Sequence, residues 1–110
     1  MFEFNAASLV KKGKWDKLLA VVEKGDVAKC QEIAAACAAV NRDESYNTLI
    51  SLLNSDNRDC KLAAVKALGD QGRPASVTQL MYQAKAAEGD AELKKAIDEA
   101  MEKLHKVKHD

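Results

Sequence analysis

A single proline, Pro74, stands in 110 residues, and aromatic residues make up only 5% of a chain that is 47% apolar. Alanine is the commonest apolar type, and because it packs helices closely and has the highest helix propensity, the composition favours helix over sheet. Neither charge sign is in excess, with 17 Lys plus Arg against 17 Asp plus Glu. A chain without a net field has nothing to hold a polyanion along its length, which disfavours nucleic acid as the main ligand. No stretch approaches the roughly 20 apolar residues needed to span a bilayer, and Met1 to Phe4 lacks the basic start of a signal peptide. The expectation is a soluble cytoplasmic protein with no membrane contact, and 110 residues suffice for one core but not for two.

Cysteine is scarce and odd in number: Cys30, Cys37 and Cys60, without CxxC spacing. Such a set fits small buried thiols in a reducing compartment better than a disulfide framework or a metal site. Cys30 and Cys37 are seven residues apart on one helix, a rise of about 10 Å, too far for a bond between them. Neither GxxxxGK[ST] nor GxGxxG occurs, so nucleotide binding has no support, and no HExxH accompanies the two histidines, His105 and His109. Those two belong to a basic tail from Lys103 to Asp110, read as solvated. No cofactor, metal ligand set or catalytic residue is identified.

What the chain does have is a repeat. Trp15, Leu18, Leu19 and Val22 recur 31 residues later as Tyr46, Leu49, Ile50 and Leu53, and 31 later again as Val77, Leu80, Met81 and Ala84. Each set has the i, i+3, i+4, i+7 spacing of one helical face. A second series follows each: Cys30, Ile33, Ala34, Cys37, Ala38; then Cys60, Ala63, Ala64, Ala67, Leu68; then Leu93, Ala96, Ile97, Ala100, Met101, at offsets of 30 and 33. Asp26, Asp56 and Asp90 stand where a side-chain oxygen caps the second helix of each pair, and Ser45 stands likewise before Tyr46. Pro74 suits a first turn and Gly69 a left-handed helix stop. These signals predict helices over 15–24, 27–41, 46–54, 57–68, 74–88 and 91–106, with a short extra helix over 6–12. The predicted fold is therefore one all-helical domain over 1–110 with three hairpins, at 15–41, 46–68 and 74–106.

The segment LAAVKALGDQGRPASVTQL, Leu62 to Leu80, resembles the HEAT-like repeats of short bacterial proteins and phycobilin lyases. Ala64, Ala67, Leu68 and Gly69, then Gly72, Pro74, Ala75 and Leu80, match that repeat's small-residue helix, glycine stop and proline start. The resemblance implies a short right-handed α-solenoid of three hairpins, whose second helices line a concave binding face. In that family an arginine five residues past the opening aspartate links neighbouring repeats. Here Asp26, Asp56 and Gly89 lead instead to Gln31, Lys61 and Lys94, and lysine is a point donor where arginine is a bidentate fork.

Taking the inner series as the core leaves Arg58, Leu62, Val65 and Lys66 on the opposite side of the middle repeat. By register their counterparts are Ala28, Glu32, Ala35 and Ala36 in the first repeat, and Ala91, Lys95, Asp98 and Glu99 in the third. Ala35, Ala36 and Ala39 with Leu62 and Val65 read as an apolar patch, and Arg58, Lys66, Lys95, Asp98 and Glu99 as its polar rim, the make-up of an interaction site. Competing readings are that alanine merely forms helix there, or that Phe2 and Phe4 fold over the patch. The carboxylates Glu92, Asp98, Glu99 and Glu102 each stand two to four residues from a lysine, and the pairs Lys94–Asp98, Lys95–Glu99, Glu99–Lys103 and Glu102–Lys106 are those of a salt-laced outer helix. Lys11, Lys12, Lys14 and Lys17 around Trp15 read as a solvated helix end, with contact to phosphate or acidic protein as the alternative.

The function expected is a non-catalytic module, an adaptor or small regulatory subunit, that binds a protein partner on the concave face. A lyase-type or nucleic-acid-modifying enzyme and a homo-oligomer assembled through the solenoid end are the alternatives. All three thiols, lying on inner faces, are expected to resist a thiol reagent until denaturant is added; fast labelling of the native chain would place them outside the core.

Overall fold

Short side chains with an oxygen start four of the helices. Asn5 accepts from Ser8 N, Asp26 from Lys29 N, Asn57 from Asp59 N and Cys60 N, and Asp90 from Leu93 N, each satisfying amide groups that have no partner within the helix. A computed structural model describes residues 3–106. It contains seven helices: α1 (Ala6–Lys11), α2 (Trp15–Lys24), α3 (Val27–Ala38), α4 (Asp43–Leu53), α5 (Arg58–Gln71), α6 (Ser76–Ala86) and α7 (Ala91–Lys106), with no strand among the described residues. The all-helical expectation and the extra helix near the start hold.

Several boundaries differ from the sequence reading: α3 ends at Ala38 and not at 41, α4 begins at Asp43 and not at 46, α5 runs to Gln71 and not to 68, and α6 spans Ser76–Ala86 and not 74–88, which leaves Pro74 ahead of its first turn. Gly69 does not stop α5; it lies in the helix interior, and the stop is Gly72, whose φ of 82° is left-handed. A Cβ on Gly69 would stand 3.0 Å from both Cα and Cβ of Ala100, so this glycine serves the approach of α7. Asn57, not Asp56, caps α5. Ser45 is not a cap residue ahead of Tyr46: α4 begins earlier, at Asp43, and the Ser45 hydroxyl, inside the first turn, accepts from Arg42 N at 3.1 Å and donates to the Val40 and Arg42 carbonyls. Past the end of α3 at Ala38, the buried Gln71 Nε2 lies 3.1 Å from the Val40 carbonyl, 3.2 Å from Ser45 Oγ and 3.3 Å from the Cys37 carbonyl.

Helices α1, α3, α5 and α7 pack one against the next, α2 packs on α4, and each even-numbered helix packs on the odd-numbered helix that follows it. The result is a slab 41 × 36 × 16 Å by Cα positions. Direction follows from the polar links between neighbours. Arg58 at the start of α5 meets Asp90 and Glu92 at the start of α7, and Asp70 at the end of α5 meets Lys103 near the end of α7, so the two helices run the same way. Many of the long-range polar links join residues 30–34 apart: Arg58–Asp90 and Arg58–Glu92, Arg73–Asp43, Lys103–Asp70, and Gln71 to the Cys37 and Val40 carbonyls. That span matches the offsets of 30 to 33 residues between the apolar series of the sequence.

The core runs from Ala6 to Leu104 in one cluster, with Leu18, Ile33, Leu49, Leu52, Leu53, Leu68, Leu80 and Ile97 among its largest fully buried members. Ala6 N donates to Glu32 Oε2 at 2.8 Å, fastening α1 to α3. Lysine takes part in the linkage after all: Lys61 Nζ donates to the Leu53 carbonyl at 2.8 Å, closing the end of α4, and to Gln83 Oε1 of α6.

Two substitutions test this packing by chemical denaturation. Leu68→Ala is expected to cost about 2–5 kcal/mol by leaving a cavity. Gly69→Ala gains roughly 1 kcal/mol of helix propensity yet is expected to destabilise overall, because the Ala100 backbone blocks the new methyl group; a stabilised variant would show that α5 and α7 separate freely.

Candidate functional site

Along α5, Asp59, Leu62, Lys66 and Asp70 recur at intervals of 3, 4 and 4; along α7, Glu92, Lys95, Glu99 and Lys103 recur at the same intervals, 33 residues on. These two stripes face one side of the slab. Between α3 and α5 lies a cleft of ≈ 520 Å3 lined by Gln31, Ala34, Ala35, Ala38, Asp59, Leu62, Ala63, Lys66, Ala67 and Asp70. Between α5 and α7 lies a second, of ≈ 550 Å3, lined by Leu62, Lys66, Glu92, Lys95, Ala96, Glu99, Ala100 and Lys103. Leu62 and Lys66 line both, so the two form one groove crossing three helices. Its floor is mostly alanine because helices this close leave room for little else, and longer polar side chains rise at its edges.

Five of the ten expected surface residues line this groove: Ala35, Leu62, Lys66, Lys95 and Glu99. Val65 does not. It is 0% exposed, because it lies one turn before Gly69 on the flank of α5 that α7 covers; a helix with a neighbour on both sides buries a wider arc than a single apolar stripe predicts. Arg58 is held at the groove's end, its guanidinium bonded to Asp90 at 2.7 and 2.9 Å and to Glu92 at 2.6 Å. Ala36 is half-buried, and Ala39 and Asp98 are exposed but line neither cleft. Glu32, paired with the start of α1, is likewise outside it. The sequence reading placed Ala34, Ala38, Ala63, Ala67, Ala96 and Ala100 on the inner series, yet they also line the groove, and it did not count Gln31, Asp59, Asp70, Glu92 or Lys103 among the expected groove residues; the intervals shared by α5 and α7 were the available signal for Asp59, Asp70, Glu92 and Lys103.

Phe4 packs on the core beside Lys29, whose nitrogen is 5.7 Å from the ring centre, and lines neither cleft; Phe2 lies outside the described residues. His105 is exposed, and His109 also lies outside them. Lys11, Lys12, Lys14 and Lys17 are all exposed around a half-buried Trp15. Among the described residues no group of three or more His, Cys, Asp or Glu side chains converges to hold a metal ion, and no helix is long and apolar enough to cross a membrane.

Ion pairs close both ends of the α5–α7 half of the groove. The Arg58 hydrogen bonds, with the Leu93 amide, hold the Asp90 carboxyl down to about 2, and Arg58 itself is raised by Asp90 and Glu92. Asp70, bonded to Lys103 at 2.6 Å, raises the Lys103 ammonium. These groups are open to water, so each pair contributes little to stability.

Because the Asp90 carboxyl is depressed below its ordinary 3.8, its contribution to stability is complete above that value and is lost as pH falls toward about 2. Asp90→Asn is therefore expected to flatten the stability profile between about pH 4 and pH 2 in acid titrations followed by circular dichroism. An unchanged acid limb would assign the loss to other carboxylates. Comparison of the chain with protein-family models, with curated proteins and with solved structures found no match in any of the three, so the functional reading rests on the groove itself.

Proposed function

We propose that the chain is a short right-handed α-solenoid of three HEAT-like hairpins with an N-terminal helix, and that it acts as a non-catalytic adaptor or regulatory subunit. Its partner is a protein segment seated on the α3–α5–α7 face. The row packing of the odd-numbered helices and the links at 30–34 residues support the solenoid part of this reading. The observation that carries the functional part is the groove shared through Leu62 and Lys66, with alanines beneath and charges at its rim. Small floor residues let a partner backbone come close, apolar area gains about 25 cal/mol per Å2 removed from water, and rim charges set orientation more than strength.

A second reading has one observation in its favour. Met81 and Tyr82 on α6 are 53% and 65% exposed, and Met81 occupies the register of Leu19, which lines the cleft between α2 and α4. Self-association through α6 would cover them.

The two readings separate by experiment. The full chain is used to capture a partner from native cell lysate, and Ala35→Glu and Leu62→Glu are then expected to lower capture at least tenfold while leaving the circular dichroism spectrum unchanged. Val65→Glu, which buries an unpaired charge, should instead unfold the chain, and Lys11→Glu should bind normally. Normal binding by both groove variants, with loss in Met81→Glu or Trp15→Ala, would move the interaction to an edge of the slab.

A further inference from the structure

Cys30 and Cys60 stand at equivalent positions of consecutive repeats, 30 residues apart. Each lies in the opening turns of its helix, Cys30 in α3 and Cys60 in α5, and these helices pack side by side. Both are 0% exposed, and Cys60 is the neighbouring side chain that acts on the Cys30 thiol. The surrounding residues are small: Ala34, Ala63, Ala64 and Ala67 are buried or half-buried along the same contact. Packed helices stand about 8–10 Å apart; at an axis distance of about 9–10 Å opposed Cα atoms, each about 2.3 Å off its axis, are about 4.4–5.4 Å apart, inside the window of about 4.4–6.8 Å that a disulfide spans. The third repeat has Leu93 at this level, so the column holds two thiols and ends.

The geometry points to Cys30 and Cys60 as a latent modification site: a thiol pair that a small disulfide of the glutathione class converts to a disulfide tying the first repeat to the second. One cysteine, as thiolate, attacks a sulfur of the small disulfide and releases one small thiol, leaving a mixed disulfide. The thiolate of the other then attacks the protein-side sulfur and releases the second small thiol. Two protein thiols are oxidised and one small disulfide is reduced, and the two protons end on the two released thiols. Cys37 is excluded as the partner of Cys30 by the about 10 Å helical rise between them, and its register mate in α5 is Ala67. Burial raises the Cys30 thiol, and the neighbouring Cys60 raises it further; thiolate is therefore scarce in the closed state, and exchange proceeds through local opening of α3 from α5.

The test incubates the full chain with oxidised glutathione in urea well below the unfolding midpoint, followed by non-reducing digestion and mass spectrometry with fragment-ion localisation. The expected product links Cys30 to Cys60, forms in wild type and in Cys37→Ala, and is absent from Cys60→Ala. The oxidised chain should melt roughly 15 °C higher than the reduced one, as closing a loop of about 30 residues implies. Glutathione adducts without a cross-link, a cross-link localised to Cys37, or thiols that stay reduced while the fully unfolded chain reacts would each overturn the assignment.

Discussion

Where α5 passes α7 a methyl group on Gly69 would stand only 3.0 Å from Ala100, and the close approach of the helices rests on contacts of that kind. Helices that touch through glycine and alanine stand close enough for long side chains at the same level to reach across. Arg58 thus finds Asp90 and Glu92, and Lys103 finds Asp70. Larger residues at the contact would push the axes apart and leave those charges to water. The same closeness makes the groove shallow and alanine-floored, since the residues that line it are largely those that permit the approach.

Helix α5 is the hub of this arrangement, flanked by α3 and α7 and backed by α4. At its end Gln71, 8% exposed, directs its amide to the Cys37 carbonyl in the last turn of α3, the Val40 carbonyl just beyond it and Ser45, so the turn between α3 and α4 is held from α5. The Gln71 Oε1 and the Ser76 hydroxyl are buried without a hydrogen-bond partner among the described residues. Polar groups here do more to define how repeats sit on one another than to add net stability, as is usual for exposed ion pairs and isolated buried amides.

The outer surfaces of the last two helices differ. In α7 the position equivalent to Val65 is Asp98, exposed and charged, on a side where no further described helix packs. In α6 the corresponding edge keeps Met81 and Tyr82. One layer of the slab is finished with charge and the other with apolar side chains, and this asymmetry is why the α6 edge competes with the groove as a binding surface.

The helix number, the repeat spacing, the extent of α2 and α7 and most of the core were legible in the sequence, because amphipathic spacing and capping oxygens are local properties encoded within a few residues of where they act. Leu18, Ile33, Leu49, Leu68, Leu80 and Ile97 all lie on the faces that spacing selects. The groove was only half legible. Ala35, Leu62, Lys66, Lys95 and Glu99 followed from the angle around a single helix, but the burial of Val65, the capture of Arg58 and the role of Gly69 depend on how many neighbours a helix has and how near they come. Sequence periodicity determined which face of each helix turns inward; only the tertiary packing decided how wide that face is, because the width is set by the flanking helices and not by the helix itself.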